Sequence, residues 1–173
     1  MNLTTNFTLE ELTVSQDAAR AGIAEQFDPP EEILNNLHKL ASSLEVVRAL
    51  LGSVPILVSS GYRCPALERI LTKADFAHWC ANRSLPVDDT SWALYLAGKA
   101  HPLGLAADFT APRFGTPIDV CRRVATTTHL EFDQVIFEYG RWCHFGVGPG
   151  TRRQALSKFA GDSVYHVGIL EHA

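Results

Sequence analysis

The clearest periodic pattern in the chain follows Pro29-Pro30. Apolar residues recur there at intervals of three and four positions, the spacing of one face of an amphipathic helix; they are Ile33, Leu37, Leu40, Leu44, Val47 and Leu51. Gly52 follows where the end of a helix is expected. A shorter helix is predicted to begin after Thr8, because Thr8-Leu9-Glu10-Glu11 has the form of a capping box. Both helices are expected to be scaffold.

Short apolar stretches bounded by turn residues predict strands. They are residues 54–60, 105–111, 134–139 and 142–147, and the last two surround Gly140 as a predicted hairpin. Residues 66 to about 98 are expected to be mostly helical, anchored by Phe76, Trp79 and Trp92. Thr116 and Pro117 suit the N-cap and first position of a further helix. This order predicts an α+β fold, with a small antiparallel sheet and flanking helices.

The composition fits one domain over residues 1–173, because the mass is 19.0 kDa and 46% of the residues are hydrophobic. The formal net charge of −4 provides no basic face for nucleic acid or an anionic membrane. No apolar run approaches the roughly 20 residues that span a bilayer, and the N-terminus lacks a signal-peptide pattern. We therefore expect cytoplasmic synthesis, no nucleic-acid partner and no membrane span.

Two histidines and one aspartate stand out chemically. Asp108 lies within the apolar run Leu105–Phe109, where a lone carboxylate is costly to bury, so it should be paired or bound to metal. His101 precedes it by seven residues, and His144 lies on the second hairpin strand. Such a set supplies three of four tetrahedral zinc positions and leaves one for water. From the residues alone, packing histidines and a loop-capping aspartate remain the alternative.

Three motifs resemble the zinc D-Ala-D-Ala peptidase family. Residues 98–109, Gly-Lys-Ala-His-Pro-Leu-Gly-Leu-Ala-Ala-Asp-Phe, resemble its S-x-H-x-x-G-x-A-x-D signature, and Ser60-Gly61-Tyr62-Arg63 resembles its S-G-[YF]-R. Residues 132–136 and 142–144 resemble its C-terminal strand pair. Residues 7–12 and the helix after Pro29-Pro30 resemble the small, phage-type branch. The resemblance, which runs with gaps from about residue 7 to 150, implies the hedgehog-type zinc fold.

The resemblance implies a zinc peptidase with Zn²⁺ held by His101, Asp108 and His144. Arg63 would hold a substrate carboxylate or the scissile carbonyl, because a guanidinium can make two parallel hydrogen bonds; a surface arginine is the alternative. The substrate would be a peptidoglycan stem peptide, cut at D-Ala-D-Ala (carboxypeptidase) or between L-Ala and D-Glu (endopeptidase). A dipeptidase acting on free dipeptides, and a non-catalytic zinc-binding structural or binding module of a phage particle, are the competing functions.

The assignment of the general base depends on the length of the hairpin loop. Many family members place it three residues before the last histidine, but Arg141 occupies that position here, and the nearest carboxylate is Glu138. With a two-residue turn, Glu138 would pair with Cys143 and point away from His144. With a three-residue loop it pairs with Trp142 and shares the face of His144, because side chains alternate along strands. We predict the three-residue loop and Glu138 as the base.

Two departures from the family pattern bear on specificity. Lys99 replaces the usual Ser, which predicts the loss of one hydrogen bond to the site. Residues 66–98 form an insertion that could serve as a lid, a specificity wall or a docking surface for another protein. Without a signal peptide, a wall-cutting enzyme would need a phage holin or incorporation into a virion. A phage or prophage lysis enzyme, an endolysin acting at the cell wall or periplasm, or a virion component that contacts phage structural proteins is therefore expected.

The four cysteines and the other five histidines are not assigned to the site. No Cys-x-x-Cys pair occurs, so reduced, buried thiols are favoured over a disulfide framework for Cys64, Cys80, Cys121 and Cys143. Cys143 should face the core, whereas Cys64 could line the cleft or pack. Solvated positions are expected for His38 and His172, and no ligand-like partners are evident for His78, His129 and His166. Asp133 and Gln134 match a family pattern and are expected to be structural.

Overall fold

The computed structural model describes residues 1–148 and 150–171. The α-helices are α1 (Leu9–Thr13), α2 (Gln16–Ala21), α3 (Glu31–Leu50), α4 (Pro65–Leu71), α5 (Lys73–Ala81), α6 (Asp89–Ala97) and α7 (Pro117–Ala125). The strands are β1 (Leu57–Ser60), β2 (Ala106–Thr110), β3 (Gln134–Glu138), β4 (Trp142–Gly146), β5 (Gln154–Lys158) and β6 (His166–Val167). Short 3₁₀ turns cover Ala24–Gln26 and His101–Leu103. His172 lies outside the described residues.

The six strands form a single sheet in the order β1-β2-β4-β3-β5-β6. All neighbouring strands are antiparallel except β3 and β5, which pair in parallel. The predicted α+β fold is confirmed. Neither β5 nor β6 was predicted. For β5 the reason is that Gln-Ala-Leu-Ser-Lys contains no β-branched or aromatic residue and only one large apolar side chain. Pairing with β3, rather than local propensity, therefore determines β5.

One face of the sheet packs against α3 and α7 and forms the main core. Its largest fully buried side chains include Phe109, Phe132 and Phe145. The predicted apolar face of α3 is confirmed, since its residues from Leu37 onward are fully or almost fully buried: Leu37, Leu40, Leu44, Val47 and, just past the helix end, Leu51. Because side chains alternate, the opposite face of the same strands is left for polar residues.

The predicted helix starts are also confirmed. Thr8 Oγ1 accepts from the Glu11 amide at 3.2 Å, and the Glu11 carboxylate accepts from the Thr8 amide at 2.9 Å. Thr116 and Asp119 form the equivalent capping box ahead of α7. The first strand is shorter than residues 54–60, because it begins only at Leu57.

Residues 66–98 fold as α4, α5 and α6, which confirms their helical prediction. Their apolar side chains form a second, smaller core of Phe76, Cys80, Trp92 and Tyr95, with Trp79 packed against it. The Phe76 and Trp92 rings meet edge-on with centroids 5.1 Å apart. This helical segment therefore carries an aromatic core of its own.

All four cysteines are free and buried, which confirms the expectation of reduced thiols. Cys143 lies in the main core, as alternation along β4 predicted. Cys64 is also a core residue, so the packing interpretation holds for it rather than the cleft-lining one. Among the described residues, no helix has the length and apolar character required to cross a bilayer.

Candidate active site

The hairpin between β3 and β4 has a three-residue loop, as predicted. Glu138 pairs with Trp142, which leaves Tyr139, Gly140 and Arg141 in the loop. Tyr139 and Gly140 both have positive φ, 55° and 72°, as a type I′ turn requires. The Arg141 amide donates to the Glu138 carbonyl at 2.9 Å. Glu138 and His144 consequently lie on the same face of the sheet.

Three ligand-type side chains converge on that face. Asp108 of β2 lies directly opposite His144 of β4, and His101 comes from the 3₁₀ turn before β2. His144 Nδ1 is 2.8 Å and His101 Nε2 is 3.3 Å from Asp108 Oδ1. One ligand atom from each residue lies within 4.8 Å of the others. Two imidazoles and a carboxylate in this arrangement form a donor set that fits zinc.

The orientation of His101 is set by a backbone carbonyl. Its Nδ1 donates to the Gly61 carbonyl at 2.6 Å, which leaves Nε2 facing Asp108. Gly61 itself is required by close packing, because a Cβ there would lie 2.3 Å from the Leu12 carbonyl oxygen. The hydrogen bond from His101 to Gly61 is of the kind that fixes the ring orientation of a metal-binding histidine. Lys99, which replaces the usual Ser of the family pattern, places its ammonium 4.3 Å from the Tyr95 ring centroid.

The electrostatics of the cluster favour an ionised aspartate. Burial alone would raise the pKa of Asp108, but the charges and hydrogen bonds of His101 and His144 outweigh it and hold that pKa below its ordinary value. Burial opposes the charged form of His144, yet the hydrogen bond and charge of Asp108 raise the His144 pKa overall. Asp108 is therefore a carboxylate across the ordinary pH range, as a metal ligand must be.

Arg63 lies against the outer oxygen of Asp108. Its Nη2 donates to Asp108 Oδ2 at 2.7 Å and its Nε donates to Ser60 Oγ at 2.9 Å. Its Nη1 is 3.7 Å from Oε2 of Glu68, a buried oxygen that accepts no hydrogen bond among the described residues. The Arg63 side chain is one-fifth exposed. Arg63 therefore holds Asp108 from the side opposite the imidazoles.

The cluster lies in a cleft of about 390 Å³ between two walls. We call the strand residues Ile136, Glu138, Trp142, His144 and Leu156 the sheet wall. We call the residues on and after α4–α6 the helical wall: Glu68, Leu71, Thr72, Asp75 and Lys99. On the sheet wall, Trp142 Nε1 donates to Glu138 Oε2 at 2.9 Å, which fixes that carboxylate. The helical segment of residues 66–98 thus lines the same cleft as the candidate metal site.

Residues 5–85 match the family model described as Peptidase M15. This match supports a member of the zinc D-Ala-D-Ala peptidase (M15) family, a family of metallopeptidases. The matched stretch contains Arg63 and ends before His101, so the grouping of His101, Asp108 and His144 is a finding of the structure. A search of curated proteins returned no match.

One cleft residue was not singled out from the sequence. Arg152 lines the cleft, and its guanidinium donates to the buried Asp133 carboxylate through Nε at 2.7 Å and Nη2 at 2.5 Å. These bonds to Arg152 lower the pKa of Asp133, against the opposing effect of burial. Asp133 thus has a structural role, as expected. Arg152 and Asp133 are 19 residues apart in the sequence and no local motif links them, so the sequence did not indicate this contact.

Glu68 was also missed, because a glutamate inside a helical stretch gives no signal of burial. The other histidines are not part of the cluster. His38, His78 and His129 are exposed. His166 Nε2 lies 2.7 Å from the Asp162 carboxylate, a partner that the sequence did not reveal. Of the histidines in the described residues, His101 and His144 are those that meet at Asp108.

Proposed function

We propose that this protein is a zinc-dependent peptidase that hydrolyses peptidoglycan stem peptides, of the D-Ala-D-Ala carboxypeptidase or L-Ala-D-Glu endopeptidase type. The observation that carries the proposal is the convergence of His101, Asp108 and His144 in the cleft, with Glu138 on the same sheet face. Family membership supports peptide hydrolysis as the reaction. The peptidoglycan substrate rests on the resemblance of residues 60–63 and 98–109 to the D-Ala-D-Ala peptidase motifs.

His101 Nε2, Asp108 Oδ1 and His144 Nδ1 would hold the ion. When bound, Zn²⁺ supplies Lewis-acid polarisation of the scissile carbonyl and a water whose pKa is lowered to about 7. Structural zinc sites have four protein ligands, whereas three protein ligands and an open position are the composition of a catalytic site. The donor set therefore favours the enzyme over the non-catalytic structural module.

Glu138 is assigned the proton transfers. Its carboxylate faces the cleft, takes a proton from the attacking water and delivers it to the leaving amine. Trp142 Nε1, by donating to Oε2, keeps the carboxylate in place and leaves Oε1 for the proton. Arg63 fixes Asp108 through Oδ2, and the N–H groups it has left stabilise negative charge that develops on the substrate carbonyl.

The test combines metal content with cleavage of purified sacculi and free D-Ala-D-Ala. Wild type should carry about one zinc per chain and release peptides from sacculi, and His144→Ala should lose both properties. His78→Ala, which removes an exposed histidine away from the cleft, is the matched control. Metal-free wild type that is inert on sacculi would contradict the proposal. Zinc without turnover would favour the structural module, and cleavage of the free dipeptide alone would favour the dipeptidase.

The proposal includes a phage or prophage origin, supported by the resemblance of residues 7–12 and of the following helix to the phage-type branch. The enzyme would then reach the wall after release by a holin, or as part of a virion. Expression in a bacterial host with and without a holin tests the first route. Lysis should require the holin, and lysis at equal rates in its absence would contradict release by this route.

A further inference from the structure

The cleft of the proposed peptidase is lined by three cationic side chains, and they differ in their contacts within the protein and in their exposure. Arg63 is one-fifth exposed and bonds to Asp108 and Ser60. The Lys99 ammonium lies on the Tyr95 ring. Arg152 has a side chain that is 54% exposed. A group that meets substrate must be reachable from the cleft, and Arg152 satisfies this condition best.

Arg152 is also held rigidly for such a task. The buried Asp133 carboxylate accepts from its Nε, its Nη2 and, at 3.3 Å, its backbone amide. A guanidinium has five N–H donors, so three remain after the two side-chain bonds to Asp133. A side chain already fixed in one geometry loses less conformational entropy on binding a ligand. The open edge of Arg152 is thus a preorganised pair of donors.

The sheet register places Arg152 at a defined end of the cleft. Its partner Asp133 directly precedes Gln134, which lies opposite Gly146 at the start of β3. The His144 and Ile136 pair is two residues further along the strands, about 7 Å away, and Glu138 lies a similar distance beyond. Arg152 therefore marks the end of the cleft opposite Glu138. An extended peptide covers roughly 3.5 Å per residue, so this end is about two residues from the reacting carbonyl.

We propose that Arg152 binds a free carboxylate of the peptide substrate, within about two residues of the scissile bond. A guanidinium and a carboxylate pair through two parallel hydrogen bonds, and this recognition is specific for a planar oxygen pair. Arg63, which is engaged with Asp108, keeps its role at the metal ligand. The inference rests on the proposed function, and it assigns the substrate class as an anionic peptide.

The experiment uses three synthetic stem pentapeptides and the full-length protein. The first has all its carboxylates, the second has a C-terminal carboxamide, and the third has the α-carboxylate of its D-Glu residue converted to an amide. One of the two amides should bind wild type roughly 10- to 100-fold more weakly by calorimetry and raise KM by the same factor, with kcat little changed. Arg152→Gln should bind the acid peptide as weakly as wild type binds that amide, with no further loss for the amide.

Two variants separate recognition from structural damage. Arg152→Lys retains the charge and should recover part of the preference for the acid. Arg141→Gln removes an exposed cation of the hairpin loop and should leave the preference unchanged. Equal binding of all three peptides by wild type, or an equal loss for all three in Arg152→Gln, would overturn the inference. Binding with the expected preference but without cleavage would contradict the peptidase proposal alone.

Discussion

The sheet wall and the helical wall of the cleft differ in what supports them. The sheet wall is the reverse side of strands whose other face lies in the main core, so its side chains are fixed by strand register and by buried residues such as Phe109 and Phe145. The helical wall rests on a separate aromatic core around Phe76 and Trp92. The candidate catalytic groups lie mainly on the first wall. Substitutions in the second can therefore change substrate contacts without moving the metal ligands.

The largest effect is expected on the sheet wall, from Glu138→Gln. Removal of the base should lower kcat about 10²- to 10⁴-fold while zinc content stays unchanged, because Glu138 is not among the three ligand-type residues. Steady-state kinetics on muropeptides and metal analysis measure the two quantities. Glu131→Gln, at an exposed position, is the matched control. A loss of less than tenfold would assign the base to another group.

The independence of the two walls is tested by truncating one core residue behind each of them. Trp92→Ala and Phe145→Ala should each lower the stability of the core in which the residue lies by about 3–5 kcal/mol. For Trp92→Ala, faster amide hydrogen exchange should be confined to α4–α6, because that core is separate. For Phe145→Ala, amide hydrogen exchange should become faster throughout β2, β3 and β4, because Phe145 lies in the main core. Equally fast exchange of the strands in Trp92→Ala would show that the walls unfold together.

A smaller effect is expected in the loop after β1, where Gly61 contacts Leu12 of α1. Gly61→Ala places a Cβ against the Leu12 carbonyl, so the backbone must shift, at a cost of about 1–3 kcal/mol. The same shift moves the carbonyl that orients His101, and zinc affinity should fall about 10- to 100-fold. Urea unfolding and a competitive chelator titration measure the two effects. Gly98→Ala, whose Cβ would meet Tyr95 at an ordinary 3.6 Å, should change neither greatly.

The smallest effect concerns pH at the Arg152 end of the cleft. The bonds from Arg152 lower the pKa of Asp133, so this carboxylate stabilises the fold above its unfolded pKa of about 3.9, and the contribution is lost as pH falls through the folded pKa. The half-exposed Arg152 limits the contribution to about 1 kcal/mol. Asp133→Asn should be less stable than wild type at pH 7, with the difference shrinking toward pH 2. A constant difference in urea unfolding would contradict this account.

The sheet wall could be largely predicted from sequence because its geometry follows from local pattern. A strand alternates its side chains, so the length of one loop determines the face on which Glu138 lies relative to His144. The apolar spacing of α3 likewise defined its buried face. Such features depend on neighbours in the chain, and the sequence displays them directly.

The contacts of Arg63 and Arg152 could not be predicted in the same way. Arg63 bonds to Asp108, 45 residues away, through a loop whose path is set by the Gly61–Leu12 contact. Arg152 meets Asp133 only because β5 pairs in parallel with β3, and β5 has too weak a local pattern to be recognised. Long-range pairing decides these positions, and a single sequence does not show it.

The conformation of the hairpin loop lowers its stability and at the same time helps to hold Glu138 in place. Tyr139 holds a left-handed conformation that glycine or asparagine adopts with less strain, and such strain costs on the order of 1–3 kcal/mol. In return its ring meets Trp142 edge-on at 5.5 Å, and Trp142 is the residue that donates to Glu138. A glycine at position 139 would therefore give a more stable hairpin and a less firmly held base. Selection for stability alone would therefore be expected to replace this tyrosine.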